Sequence, residues 1–74
     1  MKKLSKREYQ VLLGFFNGHK SKTIAKTLNV NQKTIGTYKN RIKTKLGLEA
    51  HHNDFAMVAT AIDMNVFKHF GDEN

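Results

Sequence analysis

The chain has 74 residues, a net charge of +7 at pH 7 and no cysteine. A chain of this length makes one domain that buries only about 60% of the surface of its unfolded form, which leaves little room for a walled catalytic cleft. The lack of cysteine excludes a disulfide framework and a thiolate metal site. No apolar run follows the first three residues, so we predict neither a secretory segment nor a membrane-spanning helix.

Charge is segregated along the chain. Residues 9–48 contain eight Lys or Arg residues and no Asp or Glu, whereas residues 49–74 contain five acidic residues and a single lysine, Lys68. A surface helix that needs charge only for solubility normally mixes both signs. The segregation favours a domain that binds a polyanion, with a merely soluble basic domain as the alternative.

The first predicted helix begins with a capping box, in which the Ser5 hydroxyl accepts from the Glu8 amide and the Glu8 side chain reaches back to Ser5. Its inward stripe is formed by apolar residues at helical spacing, namely Val11, Leu12, Phe15 and Phe16. The helix ends at Asn17 and Gly18. We interpret Arg7 and Glu8 as a cap with a solvated ion pair, outside any binding set.

The second predicted helix is short, and a tight connection joins it to the third. Ser21 is its expected cap, Asn29 ends it, and its inward stripe consists of Ile24, Ala25 and Leu28. The third helix covers residues 32–46 approximately, with Asn31 as its cap and Gly47 as its C-terminal cap.

The two faces of the third helix differ in chemistry. Its inward stripe is Ile35, Tyr38, Ile42 and Leu46. Its opposite face carries Lys33, Thr37, Asn40 and Thr44, flanked by Gly36 and Lys43. That face is uncharged in its middle and basic at its margins. Two closely joined helices, the second with such a face, fit a helix-turn-helix whose second helix enters the DNA major groove.

We predict that this face reads base edges through Lys33, Gly36, Thr37, Asn40 and Lys43. The two lysines are long enough to reach either a guanine or a phosphate. Gly36 in a helix interior costs about 1 kcal/mol relative to alanine, which a close approach of the backbone to DNA would explain. Sequence drift at this position is the alternative.

A second predicted set contacts phosphates. Its members are Lys20, Ser21, Lys22, Thr34, Tyr38, Lys39 and Arg41. The first three stand at the start of the second helix, where backbone amides favour an anion. A solvated basic turn is the alternative, because it predicts the same sequence pattern. Tyr38 borders the apolar stripe, so a core ring with an exposed hydroxyl is equally compatible.

The fourth predicted helix is capped by Asn53 or Asp54. It contains more apolar residues than one inward stripe needs: Phe55, Met57, Val58, Ala59, Ala61 and Ile62. We predict a dimer interface on this helix, at Met57, Val58, Ala61 and Ile62. After it, Val66, Phe67 and Phe70 are compatible with a core extension, a dimer contact or a docking surface.

Several short motifs occur in the order and spacing of a known family. They are Leu4-Ser5-x-Arg7-Glu8, Gly18, Ile24-Ala25, Leu28, Lys33-Thr34-Ile35, Tyr38 and Lys45-Leu46-Gly47-Leu48. The chain thereby resembles the DNA-binding domain of the NarL/LuxR/GerE group of bacterial transcription regulators, from residue 4 to about residue 62. The stretch KTIGTYKNRI is similar to the response-regulator subgroup. The resemblance implies an all-α, four-helix domain over residues 1–74, with its third helix in the major groove and dimer contacts through its fourth.

We therefore expect a transcriptional regulator that binds double-stranded DNA as a homodimer, in the bacterial cytoplasm at the nucleoid. RNA polymerase or a related regulator is a further expected partner. The alternative is an interaction module that pairs with a related full-length regulator and modulates it. The sequence leaves open whether the chain is a stand-alone regulator or the effector domain of a larger response regulator.

Other functions fit the sequence poorly. The histidines, His19, His51, His52 and His69, lack the spacing of a zinc site, so we expect no metal and no cofactor. No nucleophile is paired with a base, and no glycine loop suits a phosphate, so we expect no enzyme activity. Membrane association is disfavoured because the fold already uses the apolar side of the basic helix.

Overall fold

The computed structural model describes residues 3–67. Within this range the chain forms four helices and no strand: α1 (Lys6–Phe16), α2 (Ser21–Leu28), α3 (Gln32–Lys45) and α4 (Asp54–Asp63). The predicted all-α fold and its helix order are confirmed. In the part of the chain that the structure describes, no helix has the length and apolar character needed to cross a membrane. His69 and Phe70 of the sequence analysis lie outside the described residues.

Side-chain caps fix the starts of three helices. At α1 the Glu8 N–H donates to Ser5 Oγ (3.1 Å) and the Ser5 N–H donates to Glu8 Oε1 (2.9 Å), so the capping box is confirmed. Asn31 and Asn53 each accept a first-turn backbone N–H at 2.8 Å, at the starts of α3 and α4. Asn53 is therefore the cap of α4, and Asp54 is its first helical residue.

The start of α2 differs from the prediction by one residue. Its N-cap is Lys20, which makes no side-chain capping bond, and Ser21 is the first helical residue, so the prediction of Ser21 as the cap is wrong. Asn29 ends α2 in the left-handed region, at φ +57°, which asparagine tolerates better than most residues. The three residues 29–31 join α2 to α3, a connection as short as a helix-turn-helix requires.

The core is formed by all four helices and by residues on either side of them. α3 packs against α1 and α2, whereas α4 packs against α1. The buried apolar residues are Leu4, Val11, Leu12, Phe15, Ile24, Ala25, Ile35, Ile42, Leu46, Met57, Ala61 and Val66. Ile35 and Ile42 are fully buried, and Tyr38 is partly buried at the edge of the core, so the predicted inward stripe of α3 is confirmed.

Glu8 links the start of α1 to the end of α3. Its carboxylate is buried and receives a 2.6 Å hydrogen bond from Lys45 Nζ, which also donates to the Lys3 carbonyl at 3.3 Å. Burial opposes ionisation, but the bond from Lys45, the bonds with Ser5 and the charge of Lys45 outweigh it and hold the pKa of Glu8 below its ordinary 4.5. The predicted solvated ion pair is thus wrong for Glu8, whose partner lies on a different helix.

Candidate nucleic-acid interface

The face of α3 opposite the core is open to solvent. Its exposed residues include Lys33, Thr37, Asn40 and Thr44, as the sequence predicts. Gly36 lies half-buried at the margin of this face, and a Cβ built on it would meet no atom within 4 Å. No contact inside the domain therefore requires glycine at this position. Thr44 Oγ1 donates to the Asn40 carbonyl at 3.0 Å, so this hydroxyl proton already has an acceptor within the helix.

Lys43 does not lie on the exposed face. The residue is 5% exposed, and its Nζ donates to the Ala50 carbonyl at 3.4 Å, in the segment between α3 and α4. This placement corrects the predicted base-reading role of Lys43. The side chain reaches the segment 46–53, where its amine has a backbone acceptor and is withdrawn from solvent.

Lys39 also points towards another helix. Its Nζ lies 3.1 Å from Asp54 Oδ1, at the first residue of α4, and 5.3 Å from the centre of the Phe15 ring. Like Lys45 with Glu8, Lys39 therefore has an acidic partner inside the domain. Sequence reasoning missed both pairs because their members are far apart in the chain. The only available signal was that Glu8 immediately precedes the acid-free stretch and Asp54 is the second acid after it.

Five basic side chains lie exposed on the two helices of the helix-turn-helix. They are Lys20, Lys22 and Lys26 at α2, and Lys33 and Arg41 on α3. Of these, Lys26 was absent from the predicted phosphate set. The Arg41 guanidinium is 6.0 Å from the centre of the Tyr38 ring. Thr34 and Tyr38 on α3 and Ser21 on α2 are half-buried.

A groove of about 640 Å³ opens where α2, α3 and α4 begin. Its polar lining comes from His19, Lys20, Ser21 and Lys22 around the start of α2, Gln32 at the start of α3, and Asp54 at the start of α4. Because α2 has no side-chain cap, the backbone N–H groups of its first turn lack a side-chain acceptor. Such an N-terminus flanked by lysines favours an anion, and the predicted set of Lys20, Ser21 and Lys22 is brought together here.

The predicted dimer residues of α4 separate into two groups. Met57 and Ala61 are fully buried in the core of the single chain, which corrects their assignment to an interface because their side chains offer no free surface. Val58 is half-buried and Ile62 is 51% exposed. Phe55, which the predicted interface omitted, is 82% exposed. Positions 55, 58 and 62 share one side of a helix, so they form a single apolar strip.

The described residues contain no group of histidines and acids that could hold a metal ion. His51 and His52 stack on each other with ring centres 4.5 Å apart, between α3 and α4. His52 Nδ1 accepts the backbone N–H of Glu49 at 2.9 Å. These contacts give the two rings a local structural role in the loop.

Comparison with known proteins identifies the family. Residues 2–59 match the family model GerE, described as bacterial regulatory proteins, luxR family. A Pseudomonas aeruginosa protein named "Putative transcriptional regulator" is 46% identical over 46 residues, which are 62% of this chain and 22% of that protein. The chain thus spans about a fifth of the relative it matches, and no solved structure matches it. The match to the family model covers most of the chain, and the chain belongs to the luxR family of bacterial regulatory proteins.

Proposed function

We propose that the chain binds double-stranded DNA in a sequence-specific manner and thereby regulates transcription. The observation that carries this proposal is the exposed face of α3, where Thr37 and Asn40 lie in an uncharged centre while Lys33 and Arg41 border it. Side-chain amides and hydroxyls match base edges, and basic side chains match phosphates. The family assignment supports the same conclusion.

In the proposed complex α3 lies in the major groove. Its 14 residues make a rod about 21 Å long, and the groove is about 12 Å wide, so one helix fits. Asn40 suits a bidentate contact to adenine, and Thr37 suits a hydroxyl or methyl contact. The open space above Gly36 lets the helix backbone come close to a base edge. Lys33, in the first turn, reaches a guanine or a phosphate.

Phosphate contacts fix the register of the complex. We assign them to Lys20, Ser21, Lys22 and the first-turn amides of α2 on one side of α3. On the other side we assign Arg41, with the hydroxyls of Thr34 and Tyr38. Lys39 belongs to this set only when it leaves Asp54. Lys43 is left out because it is buried.

We further propose that two copies bind together. The apolar strip of Phe55, Val58 and Ile62 on α4 is the surface we assign to the contact between them. Two symmetric recognition helices enter successive major grooves, so half-sites should lie about 10 base pairs apart, centre to centre. We place the protein in the bacterial cytoplasm at the nucleoid, with RNA polymerase or a related regulator as a further partner.

The second candidate function is an interaction module that pairs with a related regulator. The 82% exposure of Phe55 on α4 favours it, since a single chain leaves this ring without cover. The two functions differ in what the exposed face of α3 must do. A module acting only through α4 would keep its activity when Thr37 and Asn40 are both changed to alanine.

The proposal is tested by selecting bound duplexes from a pool of random DNA. We expect enrichment of a motif with two related half-sites. A double variant, Thr37→Ala with Asn40→Ala, should fail to enrich that motif while still binding DNA weakly. Recovery of unselected sequences by the unchanged chain would contradict sequence-specific binding.

A further inference from the structure

Asp54 is the only carboxylate among the described residues that line the groove at the starts of α2, α3 and α4. The rest of its polar lining includes Lys20, Ser21 and Lys22, the set assigned above to DNA phosphate. The Asp54 side chain retains 47% of its exposure, so it faces solvent at the groove. An acid in this place opposes the binding of any polyanion that reaches those lysines.

The same carboxylate pairs with a lysine beside the groove. Lys39 Nζ lies 3.1 Å from Asp54 Oδ1 and 5.3 Å from the Phe15 ring centre, and both of these partners line the groove. The Lys39 side chain is 23% exposed. Its amine therefore lies next to two residues that line the groove and is already paired with Asp54. A phosphate that entered would have to displace Asp54 to use this charge.

We propose that Asp54 is an affinity-setting residue that competes with DNA phosphate for Lys39 and so limits how tightly the domain binds any duplex. This inference rests on the proposed function, because the competing ligand is DNA. The affinity for arbitrary DNA comes almost entirely from cations that replace counterions at phosphates. By keeping Lys39 engaged inside the domain, Asp54 removes one such cation from the complex.

The experiment compares Asp54→Asn with Asp63→Asn in titrations of a random duplex over a range of salt concentrations. Both variants change the net charge equally, but Asp63 is the exposed last residue of α4, about 13 Å along the helix from Asp54. Asparagine at position 54 leaves the Asn53 cap in place, and thermal unfolding verifies that both variants fold. Wild type supplies the reference slope.

We expect Asp54→Asn to steepen the slope of log affinity against log salt by about 0.9 and to raise affinity about fivefold at 0.15 M salt, because Lys39 then gains a phosphate. Asp63→Asn should leave the slope at the wild-type value. In a Lys39→Gln background, Asp54→Asn should lose most of its gain, since the amine that it releases is gone.

Three results would overturn the inference. Equal slopes for Asp54→Asn and Asp63→Asn would mean that Lys39 finds no phosphate. Weaker binding by Asp54→Asn would mean that the ion pair serves to position α3. A gain retained in the Lys39→Gln background would mean that Lys39 is not the residue released. Absence of salt-dependent DNA binding by the wild type would instead contradict the proposed function itself, and the inference with it.

Discussion

Gly36 shows how a single residue connects stability to recognition. A Cβ at this position would meet no atom of the domain within 4 Å, so nothing in the free protein requires glycine there. Glycine in a helix interior is nevertheless unfavourable by about 1 kcal/mol relative to alanine. A close approach of the backbone to DNA is the reason that the proposed complex supplies.

We predict that Gly36→Ala stabilises the free domain by up to about 1 kcal/mol in chemical denaturation and weakens binding to the preferred DNA sequence. The first effect follows from helix propensity, and the second follows from a methyl group at the contact with the groove. Gly14→Ala is the contrasting control. A Cβ there would lie 2.7 Å from the buried Ile24 Cγ1, so it should destabilise relative to Gly36→Ala. Unchanged DNA affinity in Gly36→Ala would remove Gly36 from the contact.

Individual cations should also differ in their contribution to salt dependence. We predict that Lys22→Ala and Arg41→Ala weaken binding to cognate and to random DNA by the same factor, because both side chains are exposed beside the exposed face of α3. Each variant should flatten the slope of log affinity against log salt by about 0.9. Lys6→Ala, which changes an exposed lysine at the start of α1, should leave the slope unchanged. Equal slopes for all three variants would contradict the assignment.

At the scale of helices, α3 is tied to its neighbours along both margins. Lys45 pairs with Glu8 of α1 on one margin, and Lys39 pairs with Asp54 of α4 on the other. The Lys45–Glu8 bond, whose carboxylate is buried, helps to fix the rotation of α3 about its axis, which determines the residues that face outward. The buried side chains Ile35 and Ile42 set the same orientation from the core side of the helix.

The Glu8 link predicts a dependence of stability on pH. Because the pKa of Glu8 is lowered by folding, its contribution is present above the ordinary value of 4.5 and is lost as pH falls through the lower, folded value. Glu8→Gln should therefore destabilise the domain by about 1.5 to 3 kcal/mol at pH 7, the range for a hydrogen bond to a charged group. The difference from wild type should shrink below pH 4.5. Chemical denaturation at several pH values measures the difference in free energy of unfolding between Glu8→Gln and wild type. A difference that does not change with pH would contradict the contribution of the Glu8–Lys45 pair.

The apolar strip on α4 predicts different results for its buried and exposed positions. Ile62→Glu should weaken cooperative binding to two half-sites while leaving binding to one half-site and the helical circular dichroism intact, because Ile62 is 51% exposed. Met57→Glu should instead unfold the domain, since Met57 is fully buried. Met64→Glu adds the same charge just beyond α4 and should leave cooperativity unchanged. Cooperativity retained in Ile62→Glu would exclude the strip as the dimer contact.

Sequence patterns predicted the helices well because their signals are local. The capping box at Ser5, the left-handed Asn29 and the glycine after Leu46 act within a few residues of the helix ends that they define. The inward stripe of α3 was also predictable, because polar residues separate Ile35 from Ile42 at a clear helical period. These features specify the exposed face of α3 without reference to the rest of the chain.

Three features of the site could not be predicted in this way. The burial of Lys43 depends on the Ala50 carbonyl, and Lys39 depends on Asp54, so both depend on how the chain folds back. In α4 the helix's own apolar residues occupy most of its circumference, so periodicity could not separate the buried Met57 from the exposed Phe55. Tertiary packing alone makes these distinctions.

For the whole molecule, the basic residues of the acid-free range 9–48 are paired with negative charge from two sources. Part of it comes from the chain itself, since Glu8 and Asp54 engage Lys45 and Lys39. Of the exposed basic residues, we assign Lys20, Lys22, Lys33 and Arg41 to DNA, whereas Lys26 has no assigned contact. The domain therefore presents fewer free cations than its composition suggests, and we expect fewer phosphate contacts than a count of its lysines gives.

The central claim is that the uncharged centre of the exposed face of α3 reads base edges. The most direct measurement is the ratio of affinities for the selected sequence and for random DNA, at matched salt, in Thr37→Ala and Asn40→Ala. Thr27→Ala, at an exposed threonine of α2, is the matched control. We predict that each of the two α3 variants loses about 1 to 3 kcal/mol of binding free energy on the selected sequence and little on random DNA. The affinity ratio should therefore fall in both variants and stay at the wild-type value in Thr27→Ala. An unchanged ratio in both α3 variants would contradict the claim.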